Sequence, residues 1–415
     1  MEAIKQLGLR AKAAARSFGT ALSDDKNKAL AAIAQGLEDN LPAILAANAR
    51  DIAAAEENGV RSAMVDRLRL TEARIRDIAA AVRHIVTLPD PVGKVDLGMV
   101  RPNGLRIYKT RVPMGVVGII FEARPNVTVD AAALCIKSGN VCILRGGKEA
   151  IHSNKALATV MGDALQSCGF SRDVVLLVED TSRESANAMM TLNGCIDVLI
   201  PRGGAGLISA VVQNATVPVI ETGVGNCHIY VDKAADLAMA AAILDNAKTS
   251  RPSVCNAAET LLVHSRVAAE FLPAAKALLD NHRVELRGCE KTAAILGDAV
   301  KPATHEDYAT EFNDYILAIK VVESFEEAVD HIAAYSTGHS EAIITEDYSA
   351  AQAFLSQVDA AAVYVNASTR FTDGGEFGFG AEIGISTQKL HTRGPMGLEE
   401  LTTVKYLVYG NGQIR

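Results

Sequence analysis

Residues 116–145 read VVGIIFEARPNVTVDAAALCIKSGNVCILR and alternate between two structural patterns. The apolar runs Val116–Phe121 and Val141–Arg145 are short, and a helical pattern over 127–138 separates them. Continuous apolar strands joined by helices are typical of a parallel sheet that is covered on both faces. The stretch therefore predicts an α/β fold.

The same alternation continues along the chain. Further strands are predicted at Val174–Val178, Asp197–Pro201 and Val217–Glu221, with helices over 148–167, 182–193 and 205–214. A second α/β alternation runs from about 227 to 367, with strands at Thr260–His264, Tyr315–Val322, Ala342–Thr345 and Ala361–Asn366 and helices over 267–281, 325–334 and 348–357.

The two ends of the chain carry different patterns. Residues 1–88 have apolar residues at helical spacing, with a start signal at 23–25 and a break at 40–42. Residues 99–108 predict a hairpin around Pro-Asn-Gly, and the tail 404–412 (VKYLVYGNG) resembles a strand. Hairpin and tail could pair with each other or add to the sheet edge of another subunit.

Composition excludes several classes of function. The 415 residues are 49% apolar and 22% charged, and the net charge of −8 argues against a nucleic-acid partner. No apolar run approaches the ~20 residues that cross a bilayer. The seven cysteines show no CxxC spacing, which favours reduced thiols in the cytoplasm over disulfides or zinc. The histidines show no metal-binding spacing, and we expect no metal. The basic N-terminus favours a surface helix over a transit peptide.

Cys255 is the candidate nucleophile. It follows a proline in Ser250-Arg251-Pro252-Ser253-Val254-Cys255-Asn256, between an alanine-rich helical pattern and an apolar strand. A thiolate in such a loop would attack an acyl carbon if the site lowers its pKa. The alternative is that Cys255 is a small, buried and inert hydrophobe.

Two glycine-rich turns follow predicted strands. The turn Arg202–Gly206 opens a helix, where free amides could cradle a phosphate, or where the glycines could simply form a tight turn. In the turn 144–149, Arg145 and Lys148 would suit a ribose with a 2′-phosphate, or they belong to a solvated basic loop.

Two further strand ends carry polar groups. Asn126 either caps a helix or presents its amide to an oxyanion or substrate carboxylate, with Arg124 beside it. Glu221 supplies a carboxylate among glycines that allow close approach.

Taken in order, several motifs resemble the aldehyde dehydrogenase superfamily along nearly the whole chain. They are VPMGVVGIIFEARPN (112–126), LRGGKEA (144–150), ETGVGNCHIYVD (221–232), SVCNAAETLLVH (253–264), EFNDYILAIKVV (311–322) and AAAVYVN (360–366). The spellings SRPSVCN, ARPNVT and TRGPMGLEELTTVKYL are similar to the branch that reduces an acyl phosphate, L-glutamyl 5-phosphate, with NADPH.

The resemblance implies three parts. They are an NADP-binding domain (1–97 and 113–226, with 368–403 returning to it), a catalytic domain (227–367) and an oligomerisation arm (98–112 and 404–415). A homo-oligomer is therefore expected, and the acyl phosphate would come from a separate glutamate 5-kinase, with direct handover plausible.

The resemblance also implies residue roles. Cys255 matches the nucleophile, and Glu311 matches the carboxylate that holds the nicotinamide ribose. Arg145 and Lys148 favour NADP(H). Arg202, Gly203, Gly204 and Gly206 correspond to the pyrophosphate turn, and Arg124, Arg251 and Arg393 are unranked candidates for binding the substrate's anionic groups.

Two departures from the superfamily pattern leave roles open. Asn126 lies in Ala-Arg-Pro-Asn rather than Trp-Asn-Phe-Pro, so it takes the oxyanion role only with a shifted register. Glu221 aligns with the glutamate that activates water in hydrolytic relatives, and here it could be structural or orient the cofactor. The rival functions are a hydrolytic or CoA-acylating aldehyde dehydrogenase and a non-catalytic scaffold protein.

Overall fold

The computed structural model describes residues 2–60, 62–122 and 124–415. They form two compact units. The first unit comprises Met1–Thr222, Gly378–Gly384 and Met396–Arg415, and the second comprises Gly223–Phe377 and Ile385–Pro395. The segment 368–403, expected to return to the cofactor domain, is thus divided between the two units.

The helices in chain order are α1 (Glu2–Phe18), α2 (Ser23–Asp39), α3 (Leu41–Glu57), α4 (Ser62–Leu68), α5 (Glu72–Thr87), α6 (Asn126–Lys137), α7 (Ile151–Ser167), α8 (Arg183–Met190), α9 (Ala205–Asn214), α10 (Leu237–Thr249), α11 (Ser265–Leu279), α12 (Glu290–Leu296), α13 (His305–Tyr308), α14 (Phe325–Tyr335) and α15 (Tyr348–Gln357).

The strands are β1 (Val95–Val100), β2 (Arg106–Pro113), β3 (Val116–Phe121), β4 (Val141–Arg145), β5 (Val175–Leu177), β6 (Val198–Arg202), β7 (Cys227–Val231), β8 (Ala258–His264), β9 (Glu285–Gly288), β10 (Val300–Pro302), β11 (Ile316–Val322), β12 (Ser340–Ile344), β13 (Ala362–Val365), β14 (Ile385–Ser386), β15 (Gly394–Pro395) and β16 (Thr402–Tyr409).

A parallel sheet in the order β5-β4-β3-β6 forms the centre of the first unit. Every residue of β3 is buried, because this strand has neighbours on both edges and helices on both faces. Ile119 pairs with Leu144 of β4 and with Ile200 of β6. The loops at the carboxyl ends of these strands carry the predicted cofactor residues.

The hairpin β1–β2 and the terminal strand β16 form a separate three-stranded antiparallel sheet. Register runs from Thr402 opposite Pro113 to Tyr409 opposite Arg106. The expected hairpin and tail therefore pair within one chain. Val100, Tyr406 and Val408 remain exposed on this sheet.

The second unit contains a seven-stranded parallel sheet in the order β10-β9-β11-β8-β7-β12-β13. Strands β7, β8 and β12 are buried along their whole length. Helices α10, α11, α14 and α15 carry apolar residues that pack in its cores. The unit also holds the short antiparallel pair β14–β15.

The α/β prediction is confirmed, with β3, β4, α9 and α15 at their predicted bounds. One strand prediction is wrong, since Val217–Glu221 makes only an isolated bridge, between Val219 and Leu199. Strands β7, β9 and β10 were not predicted. Ala123, in the predicted Phe121–Thr128 segment, lies outside the described residues.

Among the helices described, none combines the length and the apolar character needed to span a membrane.

The central position of Ile119 yields a stability prediction. Ile119→Ala leaves a cavity in the core that packs on the sheet of the first unit, so we expect the free energy of unfolding to fall by about 2–5 kcal/mol, against about 0.5–1.5 kcal/mol for Ile119→Val. Urea unfolding followed by far-ultraviolet circular dichroism measures both. The control is Val212→Ala, since Val212 is 42% exposed. A loss at Ile119 no larger than at Val212 would contradict the packing described.

Candidate active site

Cys255 lies in a turn between two regular elements of the second unit. Helix α10 ends at Thr249 and strand β8 begins at Ala258, so both ends of the turn are fixed. The Ala257 amide donates to the Val254 carbonyl at 3.0 Å, which tightens the turn. The Cys255 side chain is half-buried. An anchored, partly exposed thiol meets the first requirement of a nucleophile.

The backbone of Gly225 packs directly against Cys255. A methyl group on Gly225 would overlap the Cys255 carbonyl group. The same carbonyl accepts a hydrogen bond from the Cys227 thiol at 3.2 Å. The segment leading into β7 therefore supports the Cys255 turn, and only glycine permits so close an approach.

Glu311 is held against this same backbone. Its Oε1 accepts a hydrogen bond from the Gly225 amide at 2.8 Å. Two residues later, Asn313 takes the left-handed conformation (φ 56°). The Asn313 amide donates to Oε1 of Glu259 at 3.1 Å. The turn that carries Glu311 is thus fixed by contacts close to Cys255 in the same unit.

A buried ion pair joins the two elements that flank the Cys255 turn. Lys248 Nζ, in the last turn of α10, lies 2.5 Å from Oε2 of Glu259 in β8, and both side chains are fully buried. Burial lowers the pKa of Lys248 and raises the pKa of Glu259 to about 7, although each partner opposes the shift in the other. Loss of one partner would leave the other polar group buried alone, at a cost of about 3–5 kcal/mol.

Arg370 is anchored beside the residue that follows Cys255. Its Nη1 donates to Oδ1 of Asn256, and its Nε donates to the Ser250 hydroxyl at 3.1 Å. Asn256 Nδ2 in turn donates to the Arg370 carbonyl at 3.2 Å. Burial and the charge of Arg251 lower the pKa of Arg370, whereas the nearby Cys255 thiol acts in the opposite direction. The Arg370 guanidinium is thus close enough to the Cys255 thiol for the two groups to interact electrostatically.

In the first unit, the predicted phosphate turn Arg202–Gly206 donates one backbone amide to the Glu122 carboxylate. The Gly204 amide, at the start of α9, donates to Oε2 of Glu122 at 3.1 Å. Gly203, Gly204 and Gly206 are exposed, and Arg202 is half-buried. An amide that binds a carboxylate at a helix start has the donor chemistry that a pyrophosphate requires.

Arg145 and Lys148 lie at the carboxyl end of β4, which β3 separates from β6 in the same sheet. Nη2 of Arg145 donates to the carbonyls of Thr181 and Ser182 at 2.7 and 3.0 Å. Its Nε is buried and has no hydrogen-bond partner among the described residues. Burial lowers the pKa of Arg145. Lys148 is exposed. Both cations fit a polyanionic cofactor at this edge.

Asn126 is the first residue of α6, and its side chain is oriented by an acid. Its Nδ2 donates to Oδ2 of Asp130 at 2.8 Å. Burial raises the pKa of Asp130 to about 6, although Asn126 and Arg202 oppose this shift. The expectation that Asn126 caps the helix is wrong, because Pro125 is the N-cap and no side-chain cap hydrogen bond is present there. The contact with Asp130 instead gives the Asn126 amide a fixed direction.

The other candidates differ in their surroundings. Glu221 is half-buried in the first unit, where Arg124 is exposed. In the second unit Arg251 is exposed, whereas Arg393 donates from Nη1 to Oδ1 of Asp359 at 2.7 Å. Arg393 thus already neutralises a carboxylate of its own unit.

Comparison with known proteins identifies the family of this chain. Residues 2–316 and 308–407 match the model of the aldehyde dehydrogenase family. A gamma-glutamyl phosphate reductase of Carboxydothermus hydrogenoformans is 60% identical, covering 100% of both chains. Another, of Heliobacterium modesticaldum, is 61% identical over 98% of each chain. The crystal structure of gamma-glutamyl phosphate reductase from Thermotoga maritima superposes with a TM-score of 0.97, at 52% identity and 99% coverage of both chains.

The chain belongs to the aldehyde dehydrogenase family. Within that family it groups with the gamma-glutamyl phosphate reductases, since the similarity extends over the whole of both chains. The expected resemblance is therefore confirmed, and a nicotinamide cofactor is consistent with the family.

Sequence reasoning missed Arg370, Asp130 and the Lys248–Glu259 pair. Asp130 lies four residues after Asn126 on one helix, so helical spacing alone could have paired the two. Lys248 and Glu259 stand in otherwise apolar segments, where a charge signals a buried partner. Nothing in the local sequence around Arg370 points to Asn256.

The contact between Gly225 and Cys255 yields a second prediction. Gly225→Ala forces the Cys255 turn to move, so we expect alkylation of Cys255 by iodoacetamide to change by at least about tenfold, because thiol reactivity depends on its hydrogen bonds and exposure. Peptide mass spectrometry measures the rate. Gly206→Ala is the control, since its added methyl would meet nothing within 4 Å. Equal alkylation rates in the two variants would refute the role given to Gly225.

Proposed function

We infer that the protein reduces L-glutamyl 5-phosphate to L-glutamate 5-semialdehyde and phosphate, the second step of proline synthesis from glutamate. Two relatives named gamma-glutamyl phosphate reductase, about 60% identical over nearly the whole chain, support the inference. The observation in the structure that carries it is the anchored, half-exposed Cys255 with its supporting glycine.

Cys255 performs the acyl transfer in this proposal. Its thiolate attacks the acyl carbon, the bond between that carbon and the phosphate oxygen breaks, and phosphate leaves. The product is a thioester on Cys255. A thiol is required because a thioester accepts hydride, whereas a carboxylate is not electrophilic enough. After reduction the acyl carbon leaves as the aldehyde and the thiol is restored.

NADPH is the proposed cofactor, and when bound it supplies a hydride for the acyl carbon. Arg202, Gly203, Gly204 and Gly206 would hold the pyrophosphate. Arg145 and Lys148 would hold the 2′-phosphate of the adenosine ribose, which favours NADP(H) over NAD(H). Glu311 would hold the nicotinamide ribose, and its contact with the Gly225 amide orients it for this role.

Asn126 is proposed to stabilise the oxyanion that forms as the thiol attacks. Its amide has two N–H groups, and the hydrogen bond to Asp130 uses one of them, which leaves the other fixed in direction. Glu221 has no water to activate in a reductase of acyl phosphates. We assign it a structural or cofactor-orienting role.

Among the arginines, Arg370 and Arg251 are the best-supported ligands for the anionic groups of the substrate. The Arg370 guanidinium interacts electrostatically with the Cys255 thiol and with Arg251, and all three residues lie in the second unit. Arg124 remains a proposed ligand on the other unit. Arg393 is the weaker candidate because Asp359 already pairs with it.

The cellular setting follows from the chemistry. Seven cysteines without a disulfide in the described residues suit a reducing cytoplasm, which we propose as the location.

We propose a homo-oligomer built through the β1–β2–β16 arm, whose exposed Val100, Tyr406 and Val408 would become covered. A separate glutamate 5-kinase would supply the labile acyl phosphate.

Phosphate dependence separates this function from its rivals. We expect oxidation of glutamate semialdehyde to require phosphate and to proceed faster with NADP than with NAD. Adding CoA should leave the rate unchanged. Turnover with water or CoA in place of phosphate would instead indicate the hydrolytic or CoA-acylating enzymes. A silent assay with no thermal shift on adding either dinucleotide would indicate a scaffold protein.

Cys255→Ser tests the covalent route. A serine hydroxyl is far less ionised and less nucleophilic than a thiol, so we expect phosphate-dependent NADP reduction to fall by at least about 10³-fold. Cys168→Ser, at another half-exposed cysteine, is the control and should retain activity. Cys255→Ser activity near the original rate would rule out the thioester.

Arg370→Gln tests the substrate contact. Loss of a charge-assisted hydrogen bond costs about 1.5–3 kcal/mol, so we expect the KM for semialdehyde to rise about 10- to 100-fold. The KM for NADP should stay constant, and Arg370→Lys should recover part of the loss. Arg266→Gln, at an exposed arginine of the same unit, is the control. A fall in kcat with an unchanged KM would show that Arg370 only supports the turn.

A further inference from the structure

A cavity lies in the second unit, where the residues that follow β9 and β10 meet Lys320 of β11 and helices α13 and α14. Its volume is about 290 Å³. The cavity is lined by a thiol, a lysine and four aromatic or imidazole side chains, namely Cys289, Lys320, His305, Tyr308, His331 and Tyr335. None of these residues has a role in the reaction proposed above. At this volume the cavity suits a molecule of a few heavy atoms rather than a dinucleotide.

His331 is the first sign that the cavity binds something. The side chain is only 4% exposed, and neither ring nitrogen has a hydrogen-bond partner among the described residues. Burial lowers the pKa of His331 to about 3, and the charges of His228 and Lys320 add to this effect. The ring is therefore neutral at pH 7 and offers one donor and one acceptor. Buried polar groups without a protein partner are rare in native proteins and are satisfied by water or by a bound molecule.

Cys289 is the second sign. Its Sγ accepts a hydrogen bond from the Val321 amide at 3.4 Å and lies 3.4 Å from the Thr292 hydroxyl. Burial alone would raise the pKa of this thiol, but hydrogen bonds from Thr292, Val321 and Lys291 outweigh it and lower the pKa. Cys289 is half-exposed and lines the cavity. Hydrogen bonds that favour the thiolate make it a stronger reactant at neutral pH.

The wall of this cavity is connected to the Cys255 turn. Tyr308 and Tyr335 contribute their rings to the wall, and their backbone carbonyls both accept from Nδ2 of Asn226, at 2.7 and 2.8 Å. Asn226 follows Gly225, whose backbone packs on the Cys255 carbonyl. One buried side chain, that of Asn226, thus links the backbone of the two tyrosines to the segment that packs on Cys255.

We propose that this cavity is a thiol-modification site, in which Cys289 exchanges with small disulfides and the resulting adduct alters the Cys255 turn through Asn226. The Cys289 thiolate attacks one sulfur of the disulfide RSSR, whose S–S bond breaks. A mixed disulfide Cys289–S–S–R forms, and RS⁻ leaves and takes up a proton. The protein thiol is oxidised, half of RSSR is reduced, and excess thiol reverses the exchange.

The chemistry is tested on the full chain carrying Cys255→Ala, which removes the proposed nucleophile. Bis(2-hydroxyethyl) disulfide is the probe because it is neutral and its adduct is small. Peptide mass spectrometry at pH 7 should find Cys289 modified at least about tenfold faster than Cys168, the matched half-exposed thiol. Ala303→Phe, which fills the cavity, should slow the reaction at Cys289 and leave Cys168 unchanged. Modification of Cys289 no faster than that of Cys168 would overturn the site.

The coupling is tested with Cys255 intact, using Cys289→Phe as a permanent mimic of the adduct and Cys289→Ser as its control. Alkylation of Cys255 by iodoacetamide is the readout, so the result does not depend on which substrate the protein uses. We expect the serine variant to stay within about twofold of wild type and the phenylalanine variant to differ by at least about fivefold. Should Cys289→Phe fail to fold, Cys289→Met supplies a smaller adduct. Equal rates in the bulky and serine variants would overturn the coupling.

Discussion

The absence of a side chain at Gly225 is the constraint on which the second unit's site depends. Because no Cβ intervenes, the backbone before β7 lies against the Cys255 carbonyl, and the Gly225 amide is left pointing at Glu311. One residue thereby positions the proposed nucleophile and the proposed ribose ligand together. The Cys227 thiol reinforces the arrangement by donating to the same carbonyl. A larger residue at Gly225 would move both functional groups at once.

The buried Lys248–Glu259 pair helps to fix the shape of the Cys255 turn. Lys248 lies in the last turn of α10 and Glu259 lies in β8, so their ion pair joins the two elements on either side of the turn that contains Cys255. Glu259 also accepts from the Asn313 amide, which joins the turn to the segment that carries Glu311. Burying two charges is costly, and such pairs are better evidence for a fixed geometry than for stability.

Much of the fold could be predicted because hydrophobic pattern and secondary structure agree in the buried parallel sheets. Strands β3 and β4 have the bounds that their apolar runs indicate. Strands β9 and β10 escaped prediction since they are short and carry Arg287 and Lys301, which resemble loop residues. The run Val217–Glu221 looks like a strand, yet in the described residues it pairs with only one strand, β6, through an isolated bridge at Leu199. The local sequence shows which side chains are apolar, but it does not show whether a second strand is available to pair with the run.

The candidate site residues were harder to predict because those of the first unit and those of the second unit obey different rules. In the first unit, Glu122, Arg145 and Gly204 follow the carboxyl ends of parallel strands, where ligands are expected. In the second unit, Gly225 and Cys255 precede β7 and β8, at the amino ends of their strands. Arg370 follows β13 and yet contacts Asn256, because the chain after that strand folds back, with Thr372 donating to or accepting from the Ser340 hydroxyl at the start of β12. The rule that ligands bind at the carboxyl ends of parallel strands therefore identifies Arg145 but does not identify Arg370. What identifies Arg370 is a side-chain contact across 114 residues of sequence, and such contacts exist only in the folded chain.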